Sequence, residues 1–237
     1  MHFLIMKISV ILLFFLPMIL FSQTNFEKAE KLFSQEKYNI AKPIFETALK
    51  ESPNNLKTIE YLGDIASSSK DWDKAMFYYD KLKKLNPSNA NYYYKYGGSL
   101  GMKAKECSKF KALGMISDIK SSFEKAIQLN PNHIEARWAL IELYLQLPGI
   151  VGGSERKAQK YANELLKISP VDCYLAKGHI AEYFNKYKDA EKNYTKAIEV
   201  SGSKTSYQKL ADLYKNKMNQ PAKAKELLEN YQERNKS

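Results

Sequence analysis

The sequence predicts an all-α chain, a solenoid of about six helix-turn-helix units following a short leader, and three observations carry that prediction. Apolar residues recur at i, i+3, i+4 and i+7 through most of the 237 residues, as on amphipathic helices. The pattern repeats at a period of about 34 residues, which marks an array of stacked supersecondary units. Prolines and glycines punctuate it at a nearly constant phase, where they end one helix and open the next.

The chain opens with MHFLIMK, an apolar run from Ile8 to Phe21, and Ser22. A single Lys, a short apolar core and a small residue are the layout of a secretory signal peptide. The run is about 14 residues and contains Pro17, whereas a spanning helix needs roughly 20. Residues 1–22 are therefore read as a signal peptide cut between Ser22 and Gln23, with retention as an anchor the alternative, and residues 23–237 as one repeat domain. Cleavage removes Lys7 and no acid, so the net charge of +11 becomes +10. An exported chain whose lysines are dispersed among glutamates is not expected to bind nucleic acid. Membrane contact is expected only through the leader or by weak peripheral attraction. Cys107 and Cys173 lack CxxC spacing and are read as two free thiols, a bridge between them being the alternative.

Taken in order, a first unit begins near Gln23 and closes with Ala41, Phe45, Ala48 and Pro53. The second runs from Leu56 to Asn89. Ile59, Leu62, Gly63 and Ala66 form one stripe, SSKDW breaks it, and Ala75, Tyr78, Tyr79, Leu82 and Leu85 form the next before Pro87. Gly97, Leu100, Phe123, Ala126 and Pro131 mark a third, and Leu140, Tyr144, Ala158 and Pro170 a fourth. A fifth carries Tyr174, Gly178, Ala181, Tyr187, Ala190, Tyr194 and Ala197, with Gly202 where proline stands elsewhere. The last spans Tyr207 to about Tyr231 and ends in QERNKS, a polar tail suited to capping a stack.

This series resembles the tetratricopeptide repeat, whose pattern is large–x–x–Leu–Gly/Ala–x–x–Tyr followed by Ala, an aromatic, Ala and a closing Pro. The resemblance covers nearly all of residues 23–237 and implies a right-handed α-solenoid. It also implies that the first helix of each pair lines a concave face that contacts peptides. Transferring that geometry gives Tyr94, Met102, Trp138, Glu142, Leu145, Leu175, His179 and Tyr183 as groove candidates, several of which have ordinary core packing as the competing reading. Arg137 occupies the large position of its helix, so the helical phase turns the Trp138 indole toward the groove, with Tyr94 and Leu175 at the equivalent phase. Where the chaperone-tail-binding subgroup carries a basic-and-Asn clamp, this chain has Phe26 and Glu30.

Two units are longer than the period. The third has about 10 extra residues around GMKAKECSKFKALG, predicting two lengthened helices and a basic hairpin tip of Lys103, Lys105, Lys109, Phe110 and Lys111. The fourth contains PGIVGGS. A phosphate loop needs Lys then Ser/Thr after its glycines and a strand before them. Here Gly149, Gly152 and Gly153 precede Ser154 and Glu155, and the preceding segment has helical periodicity, so the stretch reads as a turn with Ser154 as an N-cap. The two long stretches together are similar to a subtype of exported bacterial tetratricopeptide proteins.

The remaining histidines, His133 and His179, lack metal-ligand spacing, GxSxG is absent, and carboxylates alternate with lysines along helices. The expectation is a non-enzymatic, cofactor-free exported scaffold, periplasmic or else secreted, that binds a protein or peptide in the groove. The alternatives are an envelope adaptor that binds anionic lipid or polymer through the basic tip, and an accessory subunit of an enzyme.

Overall fold

Helix punctuation follows the residues that can satisfy orphan backbone groups. In the computed structural model, which describes residues 25–234, there are twelve α-helices and no strand among the described residues. They are α1 (25–34), α2 (Tyr38–Glu51), α3 (Leu56–Ser68), α4 (Trp72–Leu85), α5 (Ala90–Glu106), α6 (Lys109–Leu129) and α7 (Ile134–Gln146). The series continues with α8 (Glu155–Glu164), α9 (Pro170–Tyr183), α10 (Tyr187–Ser201), α11 (Lys204–Asn216) and α12 (Pro221–Arg234). The leader read at residues 1–22 lies outside the described residues. Asn55, Asp71, Asn89, Ser154, Ser169 and Ser203 each accept a backbone N–H of the helix that follows.

The chain divides after Ser108 into two compact units, where the sequence reads as one domain. In the first, α2, α3, α4 and α5 pack in succession. Ala29, Ala41, Phe45, Leu62 and Ile65 form one core, with Phe45 stacked on Tyr61 at 4.6 Å between ring centroids. Ile59, Ala66, Ala75, Tyr79, Leu82 and Tyr92 form the next. In the second unit each helix from α6 to α12 packs on its successor, and α7 also touches α9 and α9 touches α11.

Close approach within two pairs depends on glycine. A Cβ on Gly63 would lie 2.7 Å from the Tyr79 ring, and one on Gly178 would overlap the Tyr194 ring. Both tyrosines are buried, so neither ring has room to retreat.

The turns inside four pairs share one device: Glu36, Lys70, Asn185 and Asn219 adopt φ of 58°, 59°, 58° and 53° between their helices. The long third and fourth pairs are built differently. The third has α5 of 17 and α6 of 21 residues, against 13 and 14 for α3 and α4, so both helices are lengthened as the composition predicts. One detail differs from the sequence reading. Pro170 does not close α8 but opens α9 in its first turn, where a missing N–H costs nothing. The chain instead leaves α8 through a 3-10 turn, Leu165–Lys167.

Candidate binding face

Trp138, one turn into α7, is half-buried with its ring directed at α9. Its indole N–H donates to Asp172 Oδ1 at 2.9 Å. Asp172 is itself held: its other carboxylate oxygen accepts the Ser169 hydroxyl at 2.5 Å, while Ser169 Oγ caps α9 by accepting the Asp172 N–H at 3.4 Å. His179, two turns along α9, lies 6.2 Å from the indole, ring centroid to centroid, and its Nε2 is 2.6 Å from Glu142 Oε1 on α7. Glu142 accepts from Gln146 Nε2 at 3.1 Å. The face that α7 and α9 present is therefore an indole tied by a hydrogen bond to Asp172 on the neighbouring helix, and an imidazole set close against the Glu142 carboxylate without a hydrogen bond from its Nε2. Side chains fixed in this way lose little further freedom when a ligand lands on them.

The expected groove residues separate by environment. Tyr183 is 48% exposed and packs edge-on against Phe184. Leu175 is half-buried and packs on the core around Tyr194 and Leu210. Leu145 is a correction: at 3% exposure it belongs to the core, because the face of α7 that far along is covered. Tyr94 is half-buried and Met102 exposed, both on α5 of the first unit. Trp138 is also less open than its helical phase predicts, since the hydrogen bond to Asp172 lays the ring against α9. Asp172 and Ser169 escaped the sequence reading. The signal was there, because Asp172 follows Trp138 by 34 residues, one repeat.

Of the basic tip, Lys103 forms an ion pair with Asp73 and does not stand free. Lys105, Lys109 and Lys111 are exposed, and Phe110 is 89% exposed at the start of α6. Cys107 and Cys173 are free thiols, and burial pushes the Cys173 thiol above its ordinary range. His133 caps α7: Nδ1 accepts the Ala136 N–H at 3.3 Å. Burial holds its imidazole below the ordinary range, and the neutral ring has the lone pair that the cap needs.

The glycine stretch is a closed turn. Gly149–Val151 is one 3-10 turn, and Gly152 takes φ of 103°. The N–H groups of Val151 and Gly153 both donate to Pro148 O, Gly152 donates to Gly149 O, and Ser154 donates to Tyr144 O. A phosphate cradle presents such N–H groups outward; here backbone carbonyls consume four in a row. Any Cβ on Gly153 would strike the Leu147 carbonyl. Ser154 caps α8 by accepting from Lys157 N at 3.3 Å, as its position predicts.

Among the described residues no group of three or more His, Cys, Asp or Glu is placed to hold a metal ion, and no helix is long and apolar enough to cross a membrane.

Residues 32–96 and 171–203 each match a family model described as tetratricopeptide repeat. Solved structures share the fold at low identity. A thermophilic tetratricopeptide repeat protein of Thermus thermophilus is 16% identical with a TM-score of 0.61, over 87% of this chain and 98% of that one. One from Parabacteroides merdae is 18% identical with a TM-score of 0.62, over 88% and 78%. YrrB, described as a tetratricopeptide repeat protein with an unusual peptide-binding site, is 17% identical with a TM-score of 0.52, over 77% and 87%. No curated protein gives a significant sequence match.

Proposed function

The chain is a tetratricopeptide repeat protein, and from that premise we propose that it is a non-enzymatic exported scaffold whose α7–α9 face binds a peptide segment of a partner protein. The fold suggests a protein–protein interaction scaffold. The observation that carries the finer reading is the Trp138–Asp172–Ser169 chain. It holds a half-buried indole in one orientation on a face that also offers His179 and Tyr183. Aromatic side chains set in such surroundings are the type that dominates binding energy at protein interfaces.

Export is supported by the Lys7-flanked apolar run and Ser22, and the proposed site of action is the periplasm of a Gram-negative bacterium. Crosslinking in the native envelope, followed by identification of what is captured, tests the reading. One dominant protein is expected, and Trp138→Ala should weaken its binding by about 2 kcal/mol or more, roughly 30-fold. Capture of lipid or polymer alone would overturn it. That outcome would favour the adaptor reading, which has its own observation in Phe110 standing 89% exposed between Lys109 and Lys111.

A further inference from the structure

A depression lies in the second unit, with the Trp138 side chain not among the residues that line it. It has a volume of about 900 Å³ and is bounded by the α6–α7 turn at Pro131 and Asn132, by Arg137, and by α8 and the 3-10 turn after it. Four cations line it: Arg137, Arg156, Lys160 and Lys167. Glu164 is the single carboxylate.

Arg137 is the informative member. It stands three residues before the buried Leu140, as Ile59 does before Leu62 and Tyr207 before Leu210, and those two residues are buried core. A slot that the repeat fills elsewhere with an apolar or aromatic side chain is here given to a guanidinium only 6% exposed. Burying that charge is costly unless it is paired, and a hydrophobic side chain would pack the slot without the cost. Its Nε donates to Glu164 Oε2 at 3.2 Å and its Nη1 to the His133 carbonyl at 3.0 Å. The Nη2 donors have no acceptor among the described residues. Glu164 is shared, with Lys160 Nζ 3.9 Å from its Oε1. Arg156 and Lys167 are exposed and in no ion pair among the described residues. One carboxylate is thus set against four cations, with the amides of Asn132, Gln159 and Asn163 on the same walls.

We propose that this depression is a binding site for a phosphoryl group, a phosphate monoester or diphosphate. Arg156 offers paired N–H donors that match phosphate oxygens, Arg137 adds its Nη2 donors, and two ammonium groups supply compact charge. The volume suits a small ligand. The glycine turn at 149–154 takes no part, since its N–H groups are already used.

The test uses the full chain, pyrophosphate as probe, and calorimetry against chloride at matched ionic strength. Binding with a dissociation constant below about 1 mM is expected. The double variant Arg156→Gln, Lys167→Gln alters two exposed side chains and leaves the buried Arg137 in place, so folding is preserved. It should bind at least about 10-fold more weakly, as loss of two charge-assisted contacts requires. Lys204→Gln, Lys209→Gln on α11 makes the same change in net charge elsewhere and should bind as the wild type does. Vesicles carrying phosphatidic acid separate the sources. Retention that depends on Arg156 and Lys167 assigns a lipid-borne phosphate, whereas pyrophosphate binding without retention assigns a soluble ligand; both support the site. Absence of pyrophosphate binding by the wild type, equal weakening in both double variants, or binding of polyglutamate that pyrophosphate does not displace would overturn it.

Discussion

The pairs α3/α4 and α9/α10 are built on one plan and finished differently. In each, a glycine of the first helix lies beneath a buried tyrosine of the second, Gly63 under Tyr79 and Gly178 under Tyr194. Each tyrosine hydroxyl donates to a carboxylate of the first helix, Asp64 at 2.7 Å and Glu182 at 2.9 Å. In the first unit α5 then brings Lys95, whose Nζ donates to Glu60 Oε1 at 2.6 Å and to both Asp64 oxygens at 2.7 and 2.9 Å. In the second, burial and Glu182 push the Tyr194 hydroxyl far above its ordinary range, and α11 brings not a cation but Asp212, which adds to the shift. Neither Glu182 nor Asp212 is in an ion pair among the described residues. The core of a repeat is thus set by glycine and a ring. The electrostatic finish of its surface is set by whichever residue the next repeat supplies. The finished surface belongs to the unit without the Trp138 face.

If the glycine–ring set is common to both units, Tyr79→Ala and Tyr194→Ala should cost nearly the same, about 3–5 kcal/mol in denaturant unfolding. A marked inequality would break the equivalence. Gly178→Ala should cost about 1–3 kcal/mol by overpacking the same ring.

The difference between the units can be broken next. Lys95→Met leaves Glu60 and Asp64 facing each other and should cost about 2 kcal/mol, since hydrogen bonds to charged groups lie at the upper end of the scale. Asp212→Lys should bring the second unit closer to the first and stabilise it by a few tenths of a kcal/mol, the range of exposed pairs. Loss of stability on Asp212→Lys would show that the carboxylate is needed for the fold.

The cap at His133 is sensitive to pH in a way that the Asn55 cap of α3 is not. The folded imidazole titrates below the ordinary value of 6.5, so the unfolded chain takes up its proton first as pH falls. The cap's contribution, about 1 kcal/mol, is full above 6.5 and lost as pH drops through the folded value. His133→Asn should keep the cap and remove that slope from a series of melts between neutral and acidic pH.

The smallest effect sharpens the turn comparison. Lys70 bears a side chain at φ of 59°, so Lys70→Gly should raise stability by about 0.5 kcal/mol.

The helices were legible because their signals are local. Asn55, Asp71 and Ser154 announce helix starts, Pro87 a stop, and the stripes through Ile59 and Leu62 the buried face. The site was legible only in part, since helical phase places a residue on a face without saying what reaches it from the next helix. Trp138 was found by phase, but its restraint comes from Asp172, and Leu145 at a similar phase is covered. Lys103 looked like one more surface cation because its partner, Asp73, lies 30 residues earlier on α4. Pro170 shows the same limit at a boundary: a proline fits just after one helix or in the first turn of the next, and here it opens α9.

The central claim is that the α7–α9 face holds a partner protein. It is tested most directly by placing a photo-crosslinking amino acid at Tyr183, and in a parallel strain at Phe77. Both are exposed aromatic positions, at 48% and 65%, and Phe77 lies on α4 of the first unit. Irradiation of intact cells should give one discrete crosslinked species from position 183, lost on Trp138→Ala, and none in common with position 77. The same species from both positions, or none from 183 while 77 crosslinks, would contradict the account.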